Sequence, residues 1–125
     1  MKIVAIVVEY NPFHNGHFYQ LNKIKSELNP DGIICIMSGN FIQRGEPAVF
    51  DKWARAEMAL KGGADIVIEL PVCFCTSTAE IFAESSIRLM NRLGVVTTIS
   101  FGIEKVFEKE LFSLAEILAK EPEAL

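Results

Sequence analysis

The sequence predicts an α/β fold, an open parallel sheet of the Rossmann type in which a strand is followed by a helix about four times over. Three observations predict it. Four short runs are apolar almost without interruption and rich in Val and Ile, the pattern of strands buried on both faces. The segments between them are long enough for a crossover helix and repeat their apolar residues at helical spacing. Gly, Asn and Pro stand where those helices should stop.

Taken in order, Lys2 to Glu9 (KIVAIVVE) is the first strand. A helix over His17 to Leu28 follows, with Leu21, Ile24 and Leu28 on one side and Asn29-Pro30 as its stop. Gly32 to Met37 (GIICIM) is the second strand. Phe50 to Lys61 is the second helix, with Phe50, Trp53, Ala54 and Met58 as its inner stripe and Gly62-Gly63 at its end, so Trp53 and Met58 read as core. Asp65 to Leu70 (DIVIEL) is the third strand, and Cys73 and Cys75 beyond it read as buried thiols. Thr78 to Leu93 is the third helix: Ala79, Phe82, Ala83, Ile87, Met90 and Leu93 make a stripe, Glu84 precedes Arg88 by four on the other side, and Gly94 is the cap. Val95 to Ser100 is the fourth strand. Val106 to Ala119 is the fourth helix, carrying Phe107, Leu111, Leu114, Ala115 and Leu118. The chain then runs into Lys120-Glu121-Pro122-Glu123, as at a domain edge or inside a domain.

The bulk properties narrow the class. With 125 residues, 50% hydrophobic and 22% charged, the chain can bury a core and is not disordered. A net charge of -4 argues against this segment alone binding nucleic acid strongly, because such binding draws on clustered Lys and Arg. Three cysteines, an odd count with no secretory signal, point to free thiols in a reducing compartment. No apolar run approaches the roughly 18 residues of a membrane span. The expectation is a cytoplasmic chain with no membrane contact.

In such a sheet, ligands bind beyond the carboxyl ends of the strands, so the chemistry is sought in the strand exits. The first exit is Glu9-Tyr10-Asn11-Pro12-Phe13-His14-Asn15-Gly16-His17. It holds neither G-x-G-x-x-G nor G-x-x-x-x-G-K-[ST], which counts against a dinucleotide fingerprint and a P-loop. Pro12 sets the turn, and Phe13 can plug into the core. Gly16 lets a base or phosphate approach the backbone. His14 and His17, three apart at a helix start, add imidazole donors where free N–H groups and the helix dipole already favour an anion. Alone, the pair also fits a helix cap, a surface position or half a metal site, but no Cys or third His stands near to complete a zinc shell.

The second exit, Ser38 to Pro47, is polar and Gly-punctuated; Gln43 and Arg44 can face a substrate there, while an Arg44–Glu46 surface pair is the plain alternative. Lys52 and Arg55 share a helix face and can neutralise phosphate or RNA charge, or be solvated surface charges. Glu69, closing the third strand, can orient a loop or bind a metal-bound water, and reads first as a structural hydrogen-bonding group. Gly102, in the fourth exit Ser100-Phe101-Gly102-Ile103-Glu104, permits close approach of a ligand or is a turn glycine.

The first exit resembles the leading signature of the HIGH superfamily of nucleotidyltransferases. Four longer runs, Val8 to His17, Met37 to Ala48, Lys52-Trp53-Ala54-Arg55 and Asp65 to Pro71, resemble the bacterial tRNA(Met) cytidine acetate ligases over essentially the whole chain. The resemblance implies a HIGH-type α/β domain and a two-step reaction. ATP, with Mg2+, activates acetate to acetyl-adenylate, and the acetyl group passes to N4 of the wobble cytidine of elongator tRNA(Met). It implies that His14 and His17 stabilise phosphate charge. It also implies a nucleotide pocket of Val7, Tyr10, Asn11, Pro12, Phe13, His14, Gly16, His17, Gln20 and Gly102, with Gln43, Arg44, Lys52 and Arg55 toward substrate and no protein-held metal. The superfamily's second phosphate signature, of the I-S-S-T or K-M-S-K-S kind, is missing, since Ile99-Ser100 runs into Phe101-Gly102. Residues 1–125 are therefore expected to be the N-terminal part of an ATP-binding domain, with tRNA contacts mainly elsewhere. A pantetheine-phosphate or nicotinamide-nucleotide adenylyltransferase, and a non-enzymatic nucleotide-binding module, are the competing readings.

Overall fold

The computed structural model describes residues 1–102 and 108–120. The element order is β1 (Ile3–Val8), α1 (Asn15–Leu28), β2 (Gly32–Ser38), α2 (Lys52–Gly62), β3 (Ile66–Leu70), α3 (Val72–Cys75), α4 (Ala79–Leu93), β4 (Thr98–Ser100) and α5 (Glu108–Ala119). The four strands form one parallel sheet in the order β3-β2-β1-β4. The predicted open α/β sheet is the one observed.

Period-two alternation sends the strand residues to two separate cores. Val4, Ile6, Val8, Ile33, Cys35 and Met37 pack with Leu21 and Ile24 of α1 and Ala59 of α2 on one face. Ala5, Ile34, Ile36 and Leu70 pack with Cys75 and Met90 on the other, where α4 also brings Phe82, Leu89 and Leu93. β1, central and covered on both sides, pairs with β2 from Ile3↔Gly32 to Val8↔Met37 and with β4 from Val4↔Thr98 to Ile6↔Ser100.

Several expectations are corrected. α1 begins two residues earlier than expected because His14 is its cap. α2 begins at Lys52 because Asp51 accepts from the N–H groups of Trp53 and Ala54, a side-chain cap that ends the extended approach. The inner face of α2 is Arg55, Ala59 and Gly62, not the aromatic stripe: Trp53 is 76% exposed and Phe50 faces solvent too. The ring of Phe13 lies where a Cβ on Gly62 would sit, so the helix approaches the sheet on small residues. Cys75 is buried as expected, but Cys73 is exposed, because Val72–Cys75 forms a short helix that turns them to different sides. Ala79, Ala83 and Ile87 of α4 are exposed, while Met90 is buried and Phe82 and Leu93 pack on the core as expected, joined by a buried Ser86. β4 is three residues long rather than six, since Thr97 brackets the strand end by bonding both the N–H and the carbonyl of Ile3. Ile103, Glu104, Val106 and Phe107, and the run after Lys120, lie outside the described residues.

Chain order fixes where a ligand can enter. β1, β2 and β3 step in one direction across the sheet, and the chain then returns through α3 and α4 to lay β4 on the opposite side of β1. The connections leaving β1 and β4 diverge, and a crevice opens between their carboxyl ends.

Candidate functional site

A cleft of about 900 Å3 occupies that crevice. Val7 and Tyr10 from the β1 exit, Gly16, His17 and Gln20 from the first turns of α1, and Gly102 after β4 line it, six of the residues expected around a nucleotide. Glu9, Tyr19, Lys23, Ser100 and Phe101 line it as well, and none of these had been singled out. A periodic signal for Lys23 is present in the sequence: Gly16, Gln20, Lys23 and Glu27 recur at the spacing of one helix face. Lys23 brings a cation to the wall, 3.7 Å from Glu27.

The N-terminus of α1 is built by its two histidines. His14 sits at the cap with an extended backbone (φ -141°), and its Nδ1 accepts the N–H of Gly16 at 3.1 Å. His17 reaches back, and its Nδ1 accepts the N–H of His14 at 3.2 Å. This is the reciprocal arrangement of a capping box, made with imidazoles where Ser or Thr and Glu usually stand. A ring that accepts on Nδ1 is neutral and carries its proton on Nε2, an assignment that follows from the bonding partners. The two rings stack with centroids 3.7 Å apart. Both therefore keep an Nε2–H donor at a helix start where N–H groups and dipole already draw anions. Burial, and secondarily the His14 ring, push the His17 imidazole below the usual histidine value, which reinforces its neutral state.

Tyr10 holds His17 in place. It is only 2% exposed, adopts a left-handed backbone (φ 48°), and packs its ring 4.8 Å from Phe13 and 4.7 Å from His17. Its hydroxyl meets the Cys35 thiol at 3.6 Å. Burial raises both groups above their ordinary ranges, Cys35 to about 11. Phe13 joins the core, as expected. The Asn11–Pro12 peptide is cis. Asn11, Pro12, Phe13 and His14 do not themselves line the cleft. Asn11 instead accepts the N–H of Val49 at 2.7 Å, tying the first exit to the approach of α2.

The second exit folds into a small hairpin closed by a Phe41–Pro47 bridge, with Gly45 at φ +81° in its turn. Arg44 stands exposed in that turn and makes no ion pair with Glu46. Gln43 is otherwise engaged: its backbone N–H donates to Glu9 at 2.6 Å and its side-chain amide to the Ser77 carbonyl at 2.9 Å. Lys52 pairs with Glu69 at 2.6 Å, giving Glu69 the structural part expected of it. Arg55 departs from expectation. It is fully buried, neither solvated nor turned to a ligand, and donates to the carbonyls of Glu9, Ser38, Gly39 and Phe50.

With this geometry in hand, relationships to known proteins become informative. The family model for HIGH Nucleotidyl Transferase matches residues 1–125. The chain belongs to the HIGH nucleotidyl transferase family. Its His14-Asn15-Gly16-His17 segment is the cap and first turn of α1. Among individual HIGH relatives, the tRNA(Met) cytidine acetate ligase of Acetivibrio thermocellus is 52% identical over 99% of the chain and 30% of its own length. The same enzyme of Thermoanaerobacter sp. is 57% identical over 98% and 30%. The crystal structure of Thermotoga maritima TmcAL bound with alpha-thio ATP superposes with a TM-score of 0.92 at 51% identity, covering 98% of this chain and 30% of that one. The chain therefore spans about 30% of the length of these relatives.

Proposed function

We propose that this chain is the ATP-binding N-terminal part of a tRNA(Met) cytidine acetate ligase. The observation that carries the reading is His17 in the wall of the switch-point cleft with the His14 ring stacked on it, both Nδ1-capped and each with an Nε2–H to give. Support comes from relatives above 50% identity that carry that name and from the alpha-thio ATP bound by one of them.

In this reading the triphosphate lies over the start of α1, with Gly16 clearing its path and Gly102 against the nucleotide. An acetate oxygen attacks the α-phosphorus and the bond to pyrophosphate breaks, leaving acetyl-adenylate. The N4 amine of cytidine then attacks the acetyl carbonyl carbon, and AMP departs with the electron pair. Neither step needs a protein nucleophile. The chain aligns the reactants and neutralises charge on the phosphates, through His14, His17, the α1 amides and Lys23. Arg44, exposed in its hairpin and without an ion pair among the described residues, is the better placed cation for a carboxylate or an RNA phosphate; Lys52 is engaged by Glu69.

Among the described residues, no three His, Cys, Asp or Glu side chains gather into a set that fits a metal ion. In this reading magnesium enters with ATP as part of the substrate, held by phosphates and water. No described helix is long and apolar enough to cross a membrane.

Acetate-dependent exchange of labelled pyrophosphate into ATP, measured in the complete protein, tests the reading. Exchange that requires acetate, with later transfer of acetyl to tRNA(Met), is the expected result. Exchange indifferent to acetate points to a small-molecule adenylyltransferase, and ATP binding with no exchange points to a non-catalytic module.

A further inference from the structure

Among the described residues, Arg55 is the largest side chain that the fold removes completely from solvent, and no carboxylate lies within salt-bridge distance of it. Its Nε donates to the Phe50 carbonyl at 3.1 Å. One terminal nitrogen donates to the carbonyl of Glu9, and the other to those of Ser38 (3.1 Å) and Gly39. Four of its five N–H groups are thus satisfied by backbone from three separate segments. Glu9 is the residue at which β1 becomes the Tyr10–His17 turn. Ser38 and Gly39 are where β2 becomes the Arg44 hairpin. Phe50 precedes the Asp51 cap of α2.

The β1–β2 ladder ends at Val8↔Met37, and only β2 continues one pair further, Ser38↔Leu70, so the carbonyls at these two exits need partners other than each other. A planar fork that reaches several of them fixes the spacing of the two exits; an ammonium, a single point of donors, cannot span the same set. Two further bonds hold the first exit: Gln43 N–H to Glu9 ties it to the second exit, and Val49 N–H to Asn11 ties it to the approach of α2. Both depend on the exits keeping their separation.

We infer that Arg55 is a positioning residue: its buried guanidinium sets the phosphate-binding turn of the first exit against the substrate loop of the second, so that acceptor and α-phosphate are aligned. The inference rests on the proposed acetate-activating function. ATP itself is gripped by elements that travel with α1, so loosening the clamp separates the two reactants more than it weakens ATP binding. Displacement of reacting groups by about 1 Å costs roughly 100-fold in rate.

The test uses the complete protein with Arg55→Lys and Arg55→Ala, the latter with and without added guanidinium ion. Two readouts are taken: acetate-dependent pyrophosphate exchange, and amide hydrogen exchange. For Arg55→Lys the expected kcat falls about 10- to 100-fold while KM for ATP moves less than about threefold, and guanidinium restores part of the rate of Arg55→Ala. Amides of the two exits, around residues 9–17 and 38–43, exchange faster while those of α4 do not. Wild-type kcat in Arg55→Lys, a rise in KM alone, or collapse of both variants without recovery by guanidinium each overturns the inference. Wild-type protein lacking acetate-dependent exchange sinks the functional reading instead, and the amide pattern then still decides whether Arg55 clamps the exits.

Discussion

At the scale of single residues, His14 and His17 carry two jobs on different atoms. Nδ1 of each closes the helix end, and in the proposed function Nε2–H of each donates to the triphosphate. The jobs separate by substitution. His14→Asn retains a good cap and should leave the melting temperature nearly unchanged while ATP affinity falls. His14→Ala loses the cap as well, at a cost of about 1 kcal/mol, read from urea midpoints. The pH response has a definite sign. Folding holds His17 below its ordinary value of 6.5, so above that pH both states are neutral and stability is flat. As pH drops below 6.5 the unfolded chain takes up the proton first, and stability falls until the folded ring itself protonates. Replacing His17 by Gln should flatten that stretch of the stability curve; an unchanged slope would count against the assignment. The thiols offer a third check. Cys35 is buried with its pKa raised to about 11, Cys75 is buried and raised, and Cys73 is exposed. At pH 8 a disulfide reagent should label one thiol per native chain rapidly and three after unfolding.

Elements show which sequence patterns carry structural meaning. The strand positions were legible because a run such as Lys2 to Glu9 has no polar face to expose, and only a doubly covered strand accommodates it. The ends of α4 were legible from Thr78 and Gly94, whose side chain and φ of +68° do the capping. The inner face of α2 was not legible. Hydropathy set Trp53 inside and left Arg55 as a surface or substrate cation, and the fold reverses both, because four backbone carbonyls converge on one point beside the helix and a long guanidinium is what satisfies them. Close packing of α2 on Phe13 follows from the same inversion. Gly62→Ala puts a methyl group into the Phe13 ring and should destabilise by about 1–3 kcal/mol, measured by chemical denaturation. It should also weaken ATP binding, because Phe13 belongs to the His14 turn. A Leu60→Ala control on the exposed side of α2 should leave binding unchanged.

For the molecule as a whole, the controlling fact is the reversal of strand order at β1, which opens one crevice and points the first exit into it. The 125-residue chain should bind ATP in that crevice, and saturating it at 100 times the dissociation constant should stabilise the fold by about 2.7 kcal/mol, seen as a thermal shift. The double variant His14→Ala/His17→Ala should lose most of that shift. What the sequence determined by itself was the four strands, the helices between them apart from the short α3, the expectation of chemistry in the first exit, and the resemblance to a nucleotidyltransferase family. These are local properties, written in periodicity, caps and a short contiguous motif. Tertiary structure alone decided that β4 lies beside β1, that Lys23 and Ser100 share a cleft with Gly16, that the Gln43 amide and the Arg55 guanidinium donate to backbone carbonyls, and that Trp53 stands in solvent. Each of those depends on which distant carbonyl or ring comes to lie opposite a side chain, and no spacing along the chain encodes that, because it is set by packing between segments that are tens of residues apart.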